Sequence, residues 1–120
     1  MSCLFDSLSY FIIGLNGKEL RREISNYIAE DPVLIEPNTK LSTILQYEDK
    51  SLHDYVHEMS KDSTWGGGIE IKAFCEMFKI RVFVHVLRDG KVIKFYPSQN
   101  KFEKKYVEIF WNGYQFSVRK

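Results

Sequence analysis

Trp65-Gly66-Gly67-Gly68-Ile69-Glu70-Ile71 is the stretch on which the reading of the fold turns. Its glycines let the backbone approach another part of the chain closely, and its tryptophan offers a large flat contact. Together with Asp62-Ser63-Thr64 it reads as a loop by composition. Beyond it, Ile71, Phe74, Cys75 and Phe78 recur on one helical face, and Ile69, Ala73 and Met77 widen that face. So much apolar surface predicts a helix buried on more than one side. A glycine-rich loop opening a helix is also the arrangement that cradles phosphate. Here no clear strand precedes the loop and no Gly-Lys-Ser/Thr ends it, which argues against nucleotide binding.

Working upstream, the pattern stays helical. Leu20, Ile24, Tyr27 and Ile28 recur at helix spacing, with Lys18, Glu19, Arg21, Arg22 and Glu23 expected on the opposite, charged face. Asn16-Gly17 opens that helix, Asp31-Pro32 closes it, and Pro32 and Pro37 bracket a loop. Leu52, Tyr55, Val56 and Met59 form the stripe of another helix, capped at Lys50-Ser51. Downstream the period changes from helix to strand. Ile80, Val82, Val84 and Val86 alternate with Arg81, Phe83, His85 and Leu87. Arg88-Asp89-Gly90 supplies a turn, and Lys91 to Tyr96 returns as a hairpin partner. Tyr106 to Trp111 is a further strand, with Asn112-Gly113 as its turn and Tyr114 to Val118 as its return. Helices followed by strands predict an α+β fold class in which helices cover one sheet.

Composition bounds the function. The 120 residues predict one domain, residues 1–120, able to bury a core without disulfides. Hydrophobic residues make up 44% and aromatics 15%, which argues against disorder. Lys and Arg number 17 against 16 Asp and Glu, so charge gives no case for nucleic acid or an anionic membrane as partner. A late basic cluster, Lys101, Lys104, Lys105, Arg119 and Lys120 with Tyr106, Trp111 and Tyr114 between, reads better as a solvated rim than as a nucleic-acid site. No apolar run approaches a membrane span, and the amino terminus lacks the basic flank and cleavage site of a signal peptide. The two cysteines, Cys3 and Cys75, are too few for a disulfide framework and fit a reducing, intracellular and cytoplasmic compartment. Two cysteines and three scattered histidines (His53, His57, His85) do not make a zinc site, and no metal or cofactor is expected. His53 and His57, four apart, could share a metal, but a solvated helix face explains them better.

Two further segments frame the glycine-rich loop. Cys3-Leu4-Phe5-Asp6-Ser7-Leu8-Ser9 places a cysteine at the start of an apolar helical run, where free backbone N–H groups favour the thiolate. Val107 to Phe116 is a hairpin whose turn presents Gly113 to Gln115 at one end of a sheet.

In this order the three segments resemble the ovarian-tumour (OTU) family of cysteine deubiquitinases. Ser2-Cys3-Leu4-Phe5 is similar to the family's opening Asp-Gly-x-Cys-Leu-Phe, and Glu19-Leu20-Arg21 to its Leu-Arg helix start. Tyr55 to Met59 is similar to its Tyr-x-x-x-Met helix, Trp65 to Glu70 matches Trp-Gly-Gly-x-x-Glu in full, and Ile80-Arg81-Val82 is similar to its Ile-x-Val strand. The resemblance implies a papain-like fold with a central, mostly antiparallel sheet packed between helices. It implies Cys3 at the nucleophile position and an oxyanion hole at the amides of Met1 to Cys3. Trp65, Gly66 and Gly67 would line a channel for the Gly-Gly tail of ubiquitin, with Trp111 and Tyr114 also on the substrate side.

The chain also departs from the family pattern. The closing Trp-x-Gly-x-His-Tyr is here Trp111-Asn112-Gly113-Tyr114-Gln115-Phe116, so Gln115 stands in place of the catalytic histidine. An amide cannot accept a proton near neutral pH and cannot be the general base. Ser117 stands where an orienting acid or amide usually follows, and the leading Asp would fall ahead of Met1. None of His53, His57 and His85 is expected to replace the base. The matched motifs fill Ser2 to Phe116, a length that suffices for the fold and falls short of the family's full active site. The favoured expectation is a pseudo-deubiquitinase that binds ubiquitin, a ubiquitin-like modifier or another protein. The alternative is an active or weakly active cysteine protease that uses Cys3. Compact domains of this kind occur in viruses as well as in cells, and a viral origin is compatible with so short a chain.

Overall fold

The computed structural model describes residues 3–98 and 105–119. Five helices precede four strands: α1 (Cys3–Ser9), α2 (Gly17–Ala29), α3 (Leu41–Gln46), α4 (Leu52–Met59), α5 (Gly68–Phe78), β1 (Arg81–Val86), β2 (Lys91–Phe95), β3 (Tyr106–Trp111) and β4 (Phe116–Ser117). The α+β class follows from this order.

Local chemistry sets the helix ends. Asn16 caps α2: its side chain accepts from the Glu19 amide at 2.8 Å, and the Glu19 carboxylate accepts from the Asn16 amide at 3.0 Å. That reciprocal pair satisfies two of the donors a helix start leaves open. Asp31 follows α2 in a left-handed conformation, φ 57°, as the residue just past a helix end often does and as aspartate tolerates, and Pro32 then stops the helix from continuing. Its carboxylate then accepts from the Ser42 amide and hydroxyl at 2.7 and 2.6 Å, tying the end of α2 to α3. Ser51 caps α4 through the Asp54 amide at 3.0 Å.

α3 lies between the Pro32–Pro37 loop and α4, in a stretch for which the sequence pattern predicts no element. Six residues with one buried pair, Leu41 and Leu45, and no side-chain cap carry too little periodicity to read as a helix. β4 is also shorter than the expected Tyr114 to Val118. The Asn112 side chain accepts from the amides of Tyr114 and Gln115 at 2.9 and 2.8 Å, which holds those residues in the turn and leaves only Phe116 and Ser117 to pair.

The sheet runs β2-β1-β3-β4. β1 pairs antiparallel with β2 and parallel with β3, and β3 pairs antiparallel with β4. Period-2 alternation divides its faces. Val82, Val84, Val107 and Ile109 are buried in one cluster with Leu4, Phe5, Leu8, Leu20, Ile24, Ile71 and Phe74. On the other face Phe83, His85 and Phe110 are half-buried and Tyr106 is exposed, and these rings pack on one another: Phe83 on Tyr106 at 4.8 Å and His85 on Phe110 at 4.9 Å. Among the described residues no helix is long and apolar enough to cross a membrane, and no cluster of ligating side chains could hold a metal.

Candidate active site

Cys3 is the first residue of α1 and is half-buried. The short helix is anchored by Leu4, Phe5 and Leu8, all at most 1% exposed, and the Ser7 hydroxyl donates to the Cys3 carbonyl at 2.7 Å. Three neighbours fix its position. The first is α2, whose Gly17 sits so close to Asp6 that a Cβ would fall 1.8 Å from its Oδ1. The second is β4, against which α1 packs. The third is the Trp65 loop: a Cβ on Gly66 would lie 2.7 Å from Leu4 Cδ2 and 3.1 Å from Phe5 Cε2. Glycine at 66 therefore lets the loop reach the helix that carries the thiol.

Arg21 closes this arrangement, and here the structure corrects the expected charged face of α2. The side chain is not solvated: it is 1% exposed. Its Nη1 donates to the Met59 carbonyl at 2.8 Å, its Nη2 to the Thr64 carbonyl at 2.7 Å, and its guanidinium lies 4.3 Å from the Phe5 ring centroid. Burial pushes its pKa down, while Asp62, Glu70, Asp6 and Cys3 act in the opposite direction.

Glu70 organises the loop from the other side. Its carboxylate accepts from the Gly67 amide at 2.7 Å and from the Tyr55 hydroxyl at 2.5 Å. Glycine has no side chain to return the bond, so this cap on α5 is one-sided. Burial raises the Glu70 pKa, against the lowering effect of Tyr55, Gly67 and Arg21, and burial next to Glu70 raises that of Tyr55. The sign matters for stability. A carboxyl with its folded pKa above the unfolded value holds its proton more tightly when folded, so its contribution declines as pH rises from about 4.3 upward. Glu70→Gln resembles the protonated acid and keeps both contacts, with the amide donating to Tyr55. The variant is expected to match the parent near pH 4 and gain on it as pH rises to 7. Urea melts across that range test this, and a pH-independent difference refutes it.

The expected substrate-side residues fall on two walls. Trp65, 48% exposed, stands on the loop. On its α4 side opens a cleft of about 550 Å³ walled by Tyr55, Met59, Trp65 and Ile69 and rimmed by Glu48, Asp49, Asp54 and Glu58. Trp111 stacks on Phe116 at 4.6 Å, and both line an apolar groove of about 290 Å³ with Gly68, Ile71 and Val84. That groove brings the end of the glycine run to the closing hairpin. Tyr114, 78% exposed, and Gln115, also exposed, sit on the Asn112 turn.

The histidines lie elsewhere. His85 is on the sheet face turned away from the cluster that holds α1, with Nε2 3.2 Å from a Glu108 carboxylate oxygen. His53 and His57 are exposed on α4. Cys75 is buried, which pushes its thiol up to about 12. The Met1 and Ser2 amides expected at the oxyanion hole lie outside the described residues, as do Lys101, Lys104 and Lys120 of the basic cluster.

A family model described as OTU-like cysteine protease matches residues 2–118. The chain belongs to this family. Ubiquitin thioesterase otu2 of Schizosaccharomyces pombe is 32% identical over 111 residues, covering 86% of this chain and 35% of that protein. Ubiquitin thioesterase OTU1 of Mus musculus is 36% identical over 120 residues, covering 96% of this chain and 32% of that protein. This OTU chain thus spans about a third of the length of these curated relatives. A solved OTU domain in complex with ubiquitin superposes with a TM-score of 0.73 at 30% identity, covering 96% of this chain and 61% of that one. The protein is an OTU-family, deubiquitinase-like domain.

Proposed function

We propose that this OTU domain binds ubiquitin or a ubiquitin-like modifier through the Trp65 loop and the closing hairpin, both packed on the Cys3 helix, without turning it over. The observation that carries the reading is Gln115. By the resemblance of Trp111 to Phe116 to the family's closing motif it stands where the histidine is expected, and it lies on a turn held by Asn112 that leads into the strand packed on α1. A primary amide neither withdraws the thiol proton nor returns it to a leaving amine. The solved relative bound to ubiquitin supports the choice of partner. The free thiols suit an intracellular, cytoplasmic setting, and the near-balanced charge argues against nucleic acid.

A second reading rests on Cys3 itself. A binder has no evident need for a half-exposed thiol at a helix start, and such a thiol retains some nucleophilicity without a base. Ubiquitin carrying a thiol-reactive carboxyl terminus separates the two. The expected result is an adduct at Cys3, lost in Cys3→Ala, beside no cleavage of ubiquitin chains by the unmodified protein. Chain cleavage that disappears in Cys3→Ala would establish the second reading. Absence of both adduct and measurable ubiquitin binding would remove ubiquitin as the partner.

A further inference from the structure

We propose that Arg21 is a positioning residue for the Cys3 site, tying the Trp65 loop to the helix that carries the thiol. The inference rests on the proposed reading only in taking Cys3 and the Trp65 loop as one site. Met59 is the last residue of α4 and Thr64 immediately precedes Trp65, so one guanidinium fork grips both ends of the intervening turn. The bond to the Thr64 carbonyl fixes the peptide that leads into Trp65. The same planar group lies on the face of Phe5, two residues from Cys3. Gly66 meets the edge of that ring, where a Cβ would come within 3.2 Å of Cζ. Phe5 is thus held between the arginine and the loop the arginine anchors, and the contacts form a closed circuit from α2 through the loop to α1.

The circuit needs the fork and the plane, not the charge alone. Arginine presents several donors in a fixed geometry and a flat, weakly hydrated face that stacks on an aromatic ring; lysine is a compact, strongly hydrated point charge. The acidic surroundings, Asp62, Glu70 and Asp6, favour a cation here whichever side chain carries it. Arg21→Lys therefore preserves the cation and most of the stem while loosening the grip on Thr64 and Phe5.

Amide hydrogen exchange reads the grip directly. In Arg21→Lys the amides of Trp65 to Gly67 are expected to exchange about tenfold faster, the scale of one lost charge-assisted hydrogen bond. Amides in the middle of α2 and α5 should stay within about twofold. Labelling of Cys3 by the ubiquitin probe should slow about tenfold, while iodoacetamide labelling stays within about twofold, because the thiol is intact and only its channel is displaced. Phe5→Leu removes the ring face and keeps an apolar side chain, so it should loosen the same amides to a smaller extent, and it serves if Arg21→Lys does not fold. Exchange that rises evenly over all helices in proportion to lost stability would overturn the proposal, as would unchanged exchange at Trp65 to Gly67. If the unmodified protein fails to react with the ubiquitin probe, the ubiquitin reading falls, while the exchange comparison still decides the role of Arg21.

Discussion

Replacing Gln115 with histidine is expected to raise cleavage of ubiquitin conjugates by about 10²- to 10⁴-fold over the unmodified chain, the range a positioned general base supplies. The backbone at this position is already held. The Gln115 amide donates to Asn112 Oδ1 at 2.8 Å, and its carbonyl accepts from the Asn112 amide at 3.2 Å. The side chain is exposed, so an imidazole enters without displacing core atoms. The gain should fall toward the lower end of the range, because Ser117 offers no carboxylate to orient the ring and stabilise its charged form. The rate should climb as pH passes through about 6.5, where the introduced imidazole loses its proton and becomes a base. Adding Cys3→Ala should abolish the gain. A variant that still binds ubiquitin yet cleaves no faster than its parent would show that the residue at position 115 does not account for the proposed lack of turnover.

The elements with repeated apolar spacing were readable from the chain itself. α2, α4 and α5 each carry their stripe over two or more turns, and β1 and β3 carry clean alternation, so period and caps place them within a residue or so. α3 was not readable because one buried i, i+4 pair is indistinguishable from chance. β4 is shorter than the pattern suggests because Asn112 bonds the backbone beyond the turn, a contact that composition does not reveal. The glycine run is a matter of identity at fixed spacing, so sequence exposes it fully. Arg21 is buried, and its burial is not legible in the pattern. Between Leu20 and Arg22 it reads as one of a run of surface charges, and only the packing of α2 against α4 and α1 turns it inward. Its position directly after buried Leu20, inside a matched motif, was the available signal. Glu70 is similar: its place three residues after Gly67 announces a helix start, while its burial against Tyr55 emerges only in three dimensions.

Gly66 and Gly67 are adjacent and chemically identical, yet opposite outcomes are expected from the same substitution. Gly66→Ala should destabilise the fold by about 1–3 kcal/mol, the usual cost of forcing an extra carbon into a filled core. The nearest atom, Leu4 Cδ2, would lie at 2.7 Å, and Leu4 has little room to yield at 1% exposure. The next contact is the Phe5 ring, which cannot retreat because Arg21 covers its face. Gly66→Val adds two further methyls into that space and should cost more, lowering the melting temperature by roughly 5 °C per kcal/mol for a chain of this size. At Gly67 the closest atom to an added Cβ is Glu70 Oε1 at 4.0 Å, and its φ of −149° is open to any residue. Gly67→Ala should therefore stay within about 0.5 kcal/mol of the parent in chemical denaturation. If Gly67 also lines the ubiquitin-tail channel, that stable variant should lose ubiquitin binding, because the new methyl stands in open space beside the loop. The pair thus separates two reasons for glycine in one motif, close packing onto α1 at position 66 and room for a passing chain at position 67. Equal melting temperatures for the two alanine variants would refute the packing argument, and undiminished ubiquitin binding by Gly67→Ala would place the channel elsewhere.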